Sequence, residues 1–522
     1  MARLFLGIDS STQSMTGTVI DLDSREVVFE HSVNFDQTFP GYGTRNGVLP
    51  NPDRHIAHTP PTLWVAALEV LLAVLQKEVS LGTILAVSGS GQQHGSVYLN
   101  ETARPRLASL DAAKPLLEQV QGIFSRETSP IWMDSSTSEE CAEIREALGG
   151  MKETTAITGS NTFERFTGPQ IRKFFKEDPD AYAKTTDIAL VSSFICSILC
   201  GSIAPIDHGD GAGMNLMNIT AKTWHPGALN ATAPGLAEKL PSLAAGDSVC
   251  GKISSYFVAR YGFHPEARVA PFSGDNPSSV IGTGLVDPGM VAISLGTSDT
   301  YFGTMAECHV DPHGEGHVFG SPTGDYMTLI CFKNGSLARE KVCNTYGLNW
   351  LGFSNMIKET PPGNQGKLLL PWFEPEIVPT VLTPGVKRRG LDPLDVAGNC
   401  RAVVEAQMMS MRIHSAWMGI RPEQIYATGG ASSNEEILQI MANVHNCPVF
   451  QFESTSGASL GAALRAAQAW LGEDSTAPAW RDTVKGFTEP VASSEMKPQP
   501  DAVAVYDELV KAYAAFENEF RS

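Results

Sequence analysis

The amino-acid sequence predicts an α/β protein with two related domains. Apolar segments of strand length alternate with segments of helical length along most of the chain. The chain has 522 residues, and a single hydrophobic core stops growing near about 250–300 residues, so at least two domains are expected. Residues 7–20 and 293–304 form a weak internal repeat, each with an apolar strand, a small polar turn and a second strand. This repeat predicts that the two domains are related.

The first half begins as a predicted β-meander. Three apolar or alternating segments predict its strands, at residues 3–8, 15–20 and 27–33. A helix at 63–79 and a buried strand at 84–87 follow, and the polar residues 88–96 are predicted to form a loop. Ser136 precedes Glu139 by three positions, which predicts a capping box that opens a helix ending at Leu148.

The second half repeats this alternation. Its predicted strands are 269–272, 290–295, 424–427 and 448–452, and its predicted helices are 403–420, 435–445, 458–471 and 502–520. The Pro-rich and charged residues 373–395 are interpreted as an insertion on the second domain. Glycine and proline are dense between 275 and 290. We therefore expect domains at 1–275 and 276–522, with the final helices as candidates to pack back on the first domain.

Charge and composition exclude several classes of function. The chain has 38 Lys and Arg against 57 Asp and Glu, a formal net charge of −19, which disfavours nucleic acid and anionic membranes as partners. The nine cysteines are scattered, and an odd count without a CxxC motif favours free thiols in a reducing compartment. The N-terminal apolar run is too short for a signal peptide, and serines interrupt the apolar run 188–200. We expect a cytoplasmic protein.

Two turns of the internal repeat are candidates to bind phosphate. Residues 9–13 (DSSTQ) and 296–300 (GTSDT) place small hydroxyl residues between two strands, where backbone N–H groups are free to donate. Asp9 ends a buried strand, and a carboxylate there suits Mg²⁺ better than phosphate. Either turn alone is more commonly an ordinary Asx or Ser turn. One such turn in each half favours binding of a phosphorylated tail.

Two further turns suggest a base and a nucleoside site. Asp275 lies between a strand and a helix, where it could act as a general base or simply as an N-cap. Residues 428–434 (TGGASSN) have paired glycines that would let a flat ring approach the backbone, although a tight turn is the alternative. The chain has no Walker A loop and no GxGxxG after its first strand. His94 lies in a polar loop suited to a polyol, whereas Arg165 could be a surface charge.

These motifs, in this order, resemble the FGGY family of carbohydrate kinases, within the actin/Hsp70-like ATPase superfamily. The strings that carry the resemblance are GIDSSTQS, SGDNPSS, SLGTSDT, ATGGASSN and ESTSGASLGAAL. Longer strings resemble the xylulose kinases of that family, of the type found in animals: SGSGQQHGSVY, IWMDSST, ERFTGPQI, DHGDGAGMNLM and CFKNGSLAREK. The resemblance covers nearly the whole chain.

The resemblance implies two actin-like (ribonuclease H-like) domains, with ATP, Mg²⁺ and the sugar in a cleft between them. It implies that Asp275 is the catalytic base and that the sugar contacts His94, Arg165, Asp275 and Asn276. The residues it implies for ATP are Thr12, Gly296, Thr297, Ser298, Trp350, Gly429, Gly430 and Asn434. Asp9 and Asp275 would hold Mg²⁺ through water. The expected reaction is ATP-dependent phosphorylation of D-xylulose to D-xylulose 5-phosphate.

Two alternatives remain open on the sequence. One is a kinase of the same family for another ketose or polyol, such as ribulose; the loop around His94 favours xylulose. The other is a catalytically silent sugar-binding regulator, which the retention of Asp9, Asp275 and both phosphate turns disfavours. The resemblance is compatible with a monomer or a homodimer.

Overall fold

The structure, a computed structural model, describes residues 2–452, 457–473 and 477–521. The described chain divides into two compact units. The first takes residues within Met1–Val286, Val318–Met327 and Thr455–Thr488, and the second takes those within Asp287–His317, Thr328–Ser454 and Glu489–Ser522. The division expected at 275/276 falls inside the first unit, which keeps the helix that begins at Asp275.

The strands are short to medium in length and occur throughout the chain. They are β1 (Leu4–Ser10), β2 (Ser14–Asp21), β3 (Glu26–Asn34), β4 (His58–Thr59), β5 (Ile84–Gly91), β6 (Ser96–Asn100), β7 (Ser129–Pro130), β8 (Thr185–Leu190), β9 (Ile206–Asp207), β10 (Met217–Asn218), β11 (Thr223–Trp224), β12 (Leu243–Ala244), β13 (Gly251–Lys252), β14 (Arg268–Val269), β15 (Ser273–Gly274), β16 (Val291–Leu295), β17 (Asp299–Met305), β18 (His317–Gly320), β19 (Tyr326–Phe332), β20 (Leu368–Leu370), β21 (Lys387–Arg389), β22 (Ile425–Thr428) and β23 (Val449–Gln451).

Helices alternate with these strands, as the sequence predicts. They are α1 (Phe35–Thr38), α2 (Pro61–Glu78), α3 (Ala103–Ala108), α4 (Leu116–Val120), α5 (Ser138–Ala147), α6 (Met151–Thr158), α7 (Thr167–Glu177), α8 (Pro179–Lys184), α9 (Val191–Cys200), α10 (His208–Ala212), α11 (Pro226–Thr232), α12 (Ser255–Tyr261), α13 (Asp275–Gly282), α14 (Ser336–Thr345), α15 (Trp350–Glu359), α16 (Val396–His414), α17 (Glu435–His445), α18 (Gly457–Glu473), α19 (Trp480–Val484) and α20 (Pro500–Asn518). No helix among the described residues is long and apolar enough to cross a membrane.

The main sheet of the first unit runs β3-β2-β1-β5-β14-β13. Strands β1 and β2 form an antiparallel hairpin, and β5 lies parallel to β1 on its other side. Alternate side chains of β1 face opposite ways, so Leu6 and Ile8 join one core with α2, whereas Phe5 joins another with α18. Helices therefore cover both faces of this sheet.

Helices α13 and α18 pack with their backbones in close contact. A Cβ atom added to Gly282 would lie 1.9 Å from the carbonyl oxygen of Gly457, and one added to Gly461 would lie 1.8 Å from that of Ser278. No side chain larger than hydrogen fits at either position. This crossing fixes α13, and therefore the position of Asp275 at its start, against the sheet.

The second unit repeats the central arrangement of the first. Its sheet includes the order β19-β17-β16-β22-β23, in which β16 and β17 form an antiparallel hairpin and β22 lies parallel to β16. The same pattern of hairpin plus parallel partner occurs at β2-β1-β5. The long helix α16 packs against α14, α15, α17 and α20. The predicted α/β class and the predicted internal repeat are therefore confirmed.

The predicted capping box at Ser136 and Glu139 is wrong. Helix α5 begins at Ser138 after Thr137, and no side chain caps it. The Ser136 hydroxyl donates instead to Asp134. The predicted loop 88–96 is also too long, because β5 continues to Gly91 and pairs with β1 over that length.

Candidate functional site

Two carboxylates lie at the same edge of the first sheet. Asp9 is near the end of β1, and Asp275 opens α13 directly after β15. Strands β1 and β15 each run parallel to β5, so their carboxyl ends share one edge. At this edge the Ser90 hydroxyl donates to Asp9 Oδ1 at 2.7 Å. The sheet thus holds both predicted acidic residues on rigid backbone.

The pKa values of both carboxyls are raised. Burial, reinforced by the negative charge of Asp275, raises the pKa of Asp9 to about 7. Burial raises the pKa of Asp275 to about 6, against hydrogen bonds that stabilise its ionised form. A cation between the two groups would relieve the electrostatic cost of ionising both.

Asp275 is oriented through one of its two oxygens. Its Oδ1 accepts hydrogen bonds from the backbone N–H groups of Gln93, at 3.3 Å, and Asn276, at 2.8 Å, and from the Asn276 amide at 3.1 Å. The same amide donates to Gln93 Oε1 at 3.0 Å. The alternative of a simple N-cap does not hold, since the N-cap of α13 is Gly274. Among the described residues, Oδ1 accepts every hydrogen bond that is made to the Asp275 carboxylate.

His94 follows Gln93, whose backbone N–H donates to Asp275, and its ring has a fixed orientation. Its Nδ1 lies 2.8 Å from the carbonyl oxygen of Gly213, which makes Nδ1 the donor. The ring stacks on Phe166, with centroids 4.4 Å apart. The backbone of His94 has φ +73°, a left-handed conformation that is uncommon for a residue with a side chain.

Arg165 is connected to His94 through aromatic rings. Its guanidinium lies 4.4 Å from the ring centroid of Phe163, which lies 6.1 Å from the centroid of Phe166. A chain of ring contacts thus connects Arg165 with the His94 ring. Arg165 is not a simple surface charge, since the side chain packs on an aromatic face.

Thr12 lies in the turn between β1 and β2, held by residues distant in sequence. Its hydroxyl accepts a hydrogen bond of 2.8 Å from the Trp132 indole N–H. The Thr12 carbonyl oxygen lies close to Gly47, and a Cβ atom added to Gly47 would be 1.8 Å from that oxygen. The turn that was predicted to bind phosphate is therefore positioned from two sides.

A buried acidic pair with a buried arginine lies beneath Asp275. Asp207 Oδ1 accepts from Ser273 Oγ at 2.8 Å and from the Asp210 backbone at 2.9 Å. The Ser192 hydroxyl donates to Asp210, and burial raises the pKa of Asp210 well above its usual range. No role could be assigned to the loop that contains Asp210 from the sequence alone.

The second unit contains a cavity of about 470 Å³ that five of the predicted ATP residues line. These residues are Gly296, Thr297, Trp350, Gly430 and Asn434. Trp350 is 49% exposed and opens α15, so its ring is available to a ligand. Ser298 and Gly429 do not line the cavity, although each adjoins a residue that does. The cavity has the size and the mixed polar and apolar lining expected for a nucleoside.

Asn434 and Gly429 shape this cavity. Asn434 caps α17, since its Oδ1 accepts from the N–H groups of Glu436 and Ile437, and its amide donates to Ser354 Oγ at 2.7 Å. Gly429 has φ +84°, and a Cβ atom there would lie 2.7 Å from the Leu295 carbonyl oxygen. The paired glycines thus allow β22 to end close to β16.

A buried ion pair supports the turn at 296–298. Arg339 binds Asp299 through two hydrogen bonds, of 2.8 and 2.9 Å, and both side chains are fully buried. Arg339 also donates to Gln407 Oε1 at 2.7 Å and to Ser336 Oγ at 3.0 Å. Because the Ser336 N–H donates to the Gly296 carbonyl at 2.9 Å, this pair fixes the turn relative to α14.

Several residues of both sites were not predicted from the sequence. Ser90, Gln93 and Asp210 lie in polar segments, but nothing in the sequence marks these positions. Arg339 lies in the segment CFKNGSLAREK, which resembles the kinase family. The sequence of this segment does not indicate that the arginine is buried. Residues 453–456, which begin the motif ESTSGASLGAAL, lie outside the described residues.

Comparison with known proteins identifies the family of both halves. Residues 128–282 match the N-terminal domain of the FGGY family of carbohydrate kinases, and residues 291–470 match its C-terminal domain. Xylulose kinase from Mus musculus is 42% identical over 532 aligned residues, which cover 100% of this chain and 95% of that protein. Xylulose kinase 2 from Arabidopsis thaliana is 44% identical over 490 residues, covering 90% of this chain and 87% of that protein.

Solved structures show the same fold at lower identity. Xylulose kinase from Rhodospirillum rubrum has a TM-score of 0.82 at 19% identity, covering 99% of each chain. Gluconate kinase from Lactobacillus acidophilus has a TM-score of 0.81 at 18% identity, covering 99% of this chain and 98% of that one. The predicted two-domain fold and the predicted kinase activity are confirmed: the chain is a sugar kinase, and it belongs to the FGGY family of carbohydrate kinases.

Proposed function

We propose that this kinase transfers the terminal phosphoryl group of ATP to D-xylulose and yields D-xylulose 5-phosphate. The observation that carries the proposal is the environment of Asp275, which combines a raised pKa with orientation through Oδ1. The names of the relatives that are 42–44% identical support the choice of sugar. The alternative of a silent sugar-binding regulator is not favoured, because the chain belongs to a family of kinases.

Asp275 is the proposed general base. Its Oδ1 receives three donors from Gln93 and Asn276, so Oδ2 is the oxygen that would face the sugar hydroxyl. A pKa of about 6 leaves the group ionised at neutral pH yet basic enough to accept a proton during transfer. As the hydroxyl oxygen bonds to phosphorus, its proton passes to Oδ2.

His94, Asn276 and Arg165 are the proposed sugar contacts. The hydrogen bond from Nδ1 of His94 to the Gly213 carbonyl fixes the orientation of the ring that would contact the sugar. Several hydroxyl contacts around one carboxylate orient a polyol so that a single oxygen faces the base. Such orientation supplies much of the rate of a transfer that needs little covalent chemistry from the protein.

Asp9 and Asp275 fit a magnesium ion. They supply carboxylate oxygens, the ligands that Mg²⁺ prefers, and burial raises the pKa values of both carboxyls. When bound, Mg²⁺ would neutralise charge on the nucleotide phosphates. Ser90 would keep the Asp9 carboxylate oriented through its hydroxyl.

The cavity of the second unit is the proposed nucleoside site. Trp350 and the backbone of Gly430 offer flat surfaces to a base, and Ser433 and Asn434 offer polar groups. The turn at 296–298 adjoins this cavity and would donate backbone N–H groups to the phosphates. The buried pair of Asp299 and Arg339 holds that turn in place without placing a net charge there.

The Asp275→Asn variant tests this assignment. Asparagine keeps the size of the side chain but cannot accept the proton, so we expect sugar-dependent ADP release to fall about 10²–10⁴-fold. Asp180→Asn is the matched control, since Asp180 also lies in the first turn of a helix but is exposed. Circular dichroism would check the fold. Turnover near that of the unmodified enzyme would refute the role of Asp275.

A panel of sugars tests the substrate. Turnover should be higher with D-xylulose than with ribulose, glycerol or gluconate at equal concentration. Mass spectrometry and NMR of the product should place the phosphate on O5. Preference for another acceptor would leave the kinase assignment intact and overturn the choice of D-xylulose.

A further inference from the structure

Three cysteines that are distant in sequence meet in the first unit. Cys196 and Cys200 lie one helical turn apart on α9, and Cys250 directly precedes β13. The Cys250 sulfur lies 3.7 Å from each of the other two. All three sulfur atoms lie within 4.8 Å of one another. Cys250 is fifty positions after Cys200, so the sequence spacing does not indicate that the three cysteines form a cluster.

The sulfur positions match those around a thiolate-bound metal. Zinc–sulfur bonds are about 2.3 Å long, and tetrahedral angles then place two sulfur ligands about 3.8 Å apart. The two shorter sulfur separations lie close to this value. Cys200 and Cys250 are partly exposed, which gives an ion a path to the cluster, whereas Cys196 is fully buried.

A buried cation interacts electrostatically with one cysteine of the cluster. The Arg465 guanidinium is fully buried and interacts electrostatically with Cys196. Its hydrogen bonds are to neutral groups, the carbonyl oxygens of Gly89, Gly246 and Pro271 and the Ser278 hydroxyl. An Asp207 carboxylate oxygen lies 3.8 Å from the guanidinium. Arg465 is therefore a buried cation that interacts with both Asp207 and Cys196.

We propose that Cys196, Cys200 and Cys250 form a binding site for one thiophilic cation with a filled d shell, of the Zn²⁺ type. Thiolate ligands select such cations over Mg²⁺, which prefers oxygen. The site is therefore chemically separate from Asp9 and Asp275. Binding replaces the S–H protons, which pass to solvent, with metal–sulfur bonds, and no electron is transferred.

Titration with Cd²⁺ tests the proposal, because thiolate–cadmium bonds absorb in the ultraviolet. The full-length protein would be reduced, freed of metal and titrated without nucleotide. We expect a charge-transfer band that saturates at one Cd²⁺ per chain and is displaced by Zn²⁺. Cys250→Ser should weaken binding at least about tenfold, since it removes the sulfur that contacts the other two.

Cys141→Ser and Cys447→Ser are matched controls, because both cysteines are buried outside the cluster. Neither should change the titration. If Cys250→Ser fails to fold, Cys200→Ser at a partly exposed position gives the same comparison. Absence of the band, or an unchanged band in a correctly folded cluster variant, would overturn the proposal.

Discussion

The two hairpin turns share one layout but differ in charge. In the first unit, Asp9 precedes the turn between β1 and β2, and its neighbours are the Ser90 hydroxyl and a second carboxylate, Asp275. In the second unit, Asp299 follows the turn between β16 and β17, and Arg339 neutralises it through two hydrogen bonds. The acidic residue of the first turn therefore has a second carboxylate as its neighbour, whereas that of the second turn is paired with a cation.

This difference shows that a turn motif alone does not define the chemistry of a site. The residue that decides it lies elsewhere in the chain: Asp275 for the first turn and Arg339 for the second. The two related hairpins thus differ through the residues that contact them. Four predictions use this contrast.

Asp9→Asn should lower sugar-dependent turnover with saturating Mg²⁺ by about 10²-fold or more, the scale of losing one group that stabilises transferring charge. Asparagine can still accept the Ser90 hydroxyl. Asp21→Asn, at the other end of the same hairpin, is the control and should keep full activity.

The Asp9→Asn variant should be at least as stable as the unmodified protein when no metal is bound. The folded-state pKa of Asp9, about 7, lies above the unfolded value of 3.8. Stability is therefore lost as the pH rises from the unfolded pKa to the folded pKa, by up to about 4 kcal/mol in all, and asparagine removes this loss. We expect an equal or higher urea midpoint at pH 8. A clear loss of metal-free stability would contradict the charge assigned to the first turn.

Asp299→Asn should have the opposite effect on stability. It leaves the Arg339 cation buried without a full counter-charge, which costs about 3–5 kcal/mol when a buried pair is broken. The control is Asp507→Asn, which removes an exposed ion pair with Arg412 and should cost less than about 1 kcal/mol. Urea unfolding, monitored by tryptophan fluorescence, compares the two. Equal losses would show that burial of the Asp299 pair is unimportant.

The two turns should also differ in pH dependence. Because the base must be ionised and its pKa is about 6, kcat/KM for the sugar should fall about tenfold per pH unit below 6. Adenosine binding to the second unit should stay constant between pH 5 and 7, measured by calorimetry. A sugar profile that is flat down to pH 5 would argue against Asp275 as the base.

Local sequence patterns predicted the main strands and helices because they depend on periodicity. Helix α17 occupies the predicted residues 435–445, and the hairpins at Asp9 and Asp299 lie where the repeat placed them. The predicted helix cap at Ser136 is wrong because the Ser136 hydroxyl donates to Asp134 instead. Such competition between nearby polar groups cannot be read from spacing alone.

The main residues of the candidate site were predicted from the sequence, but the residues that hold them in place were not. Asp275 and five residues that line the cavity of the second unit were predicted from motifs. Arg339 and the cysteine cluster depend on contacts between segments at least forty residues apart. Sequence without homologues has no signal for such contacts, so burial and pairing must come from the structure.

The close crossing of α13 and α18 has a consequence for the order in which the protein folds during synthesis. Helix α18 belongs to the first unit, yet the ribosome makes it after most of the second. At about 5–20 residues per second, the nascent chain waits on the order of ten seconds or longer between Val286 and Glu473. During that interval Phe5, Ile20 and Ala86 lack the helix that later covers them. The glycines at the crossing let α18 dock against a nearly finished sheet, and a chaperone that shields apolar surface would act in this window.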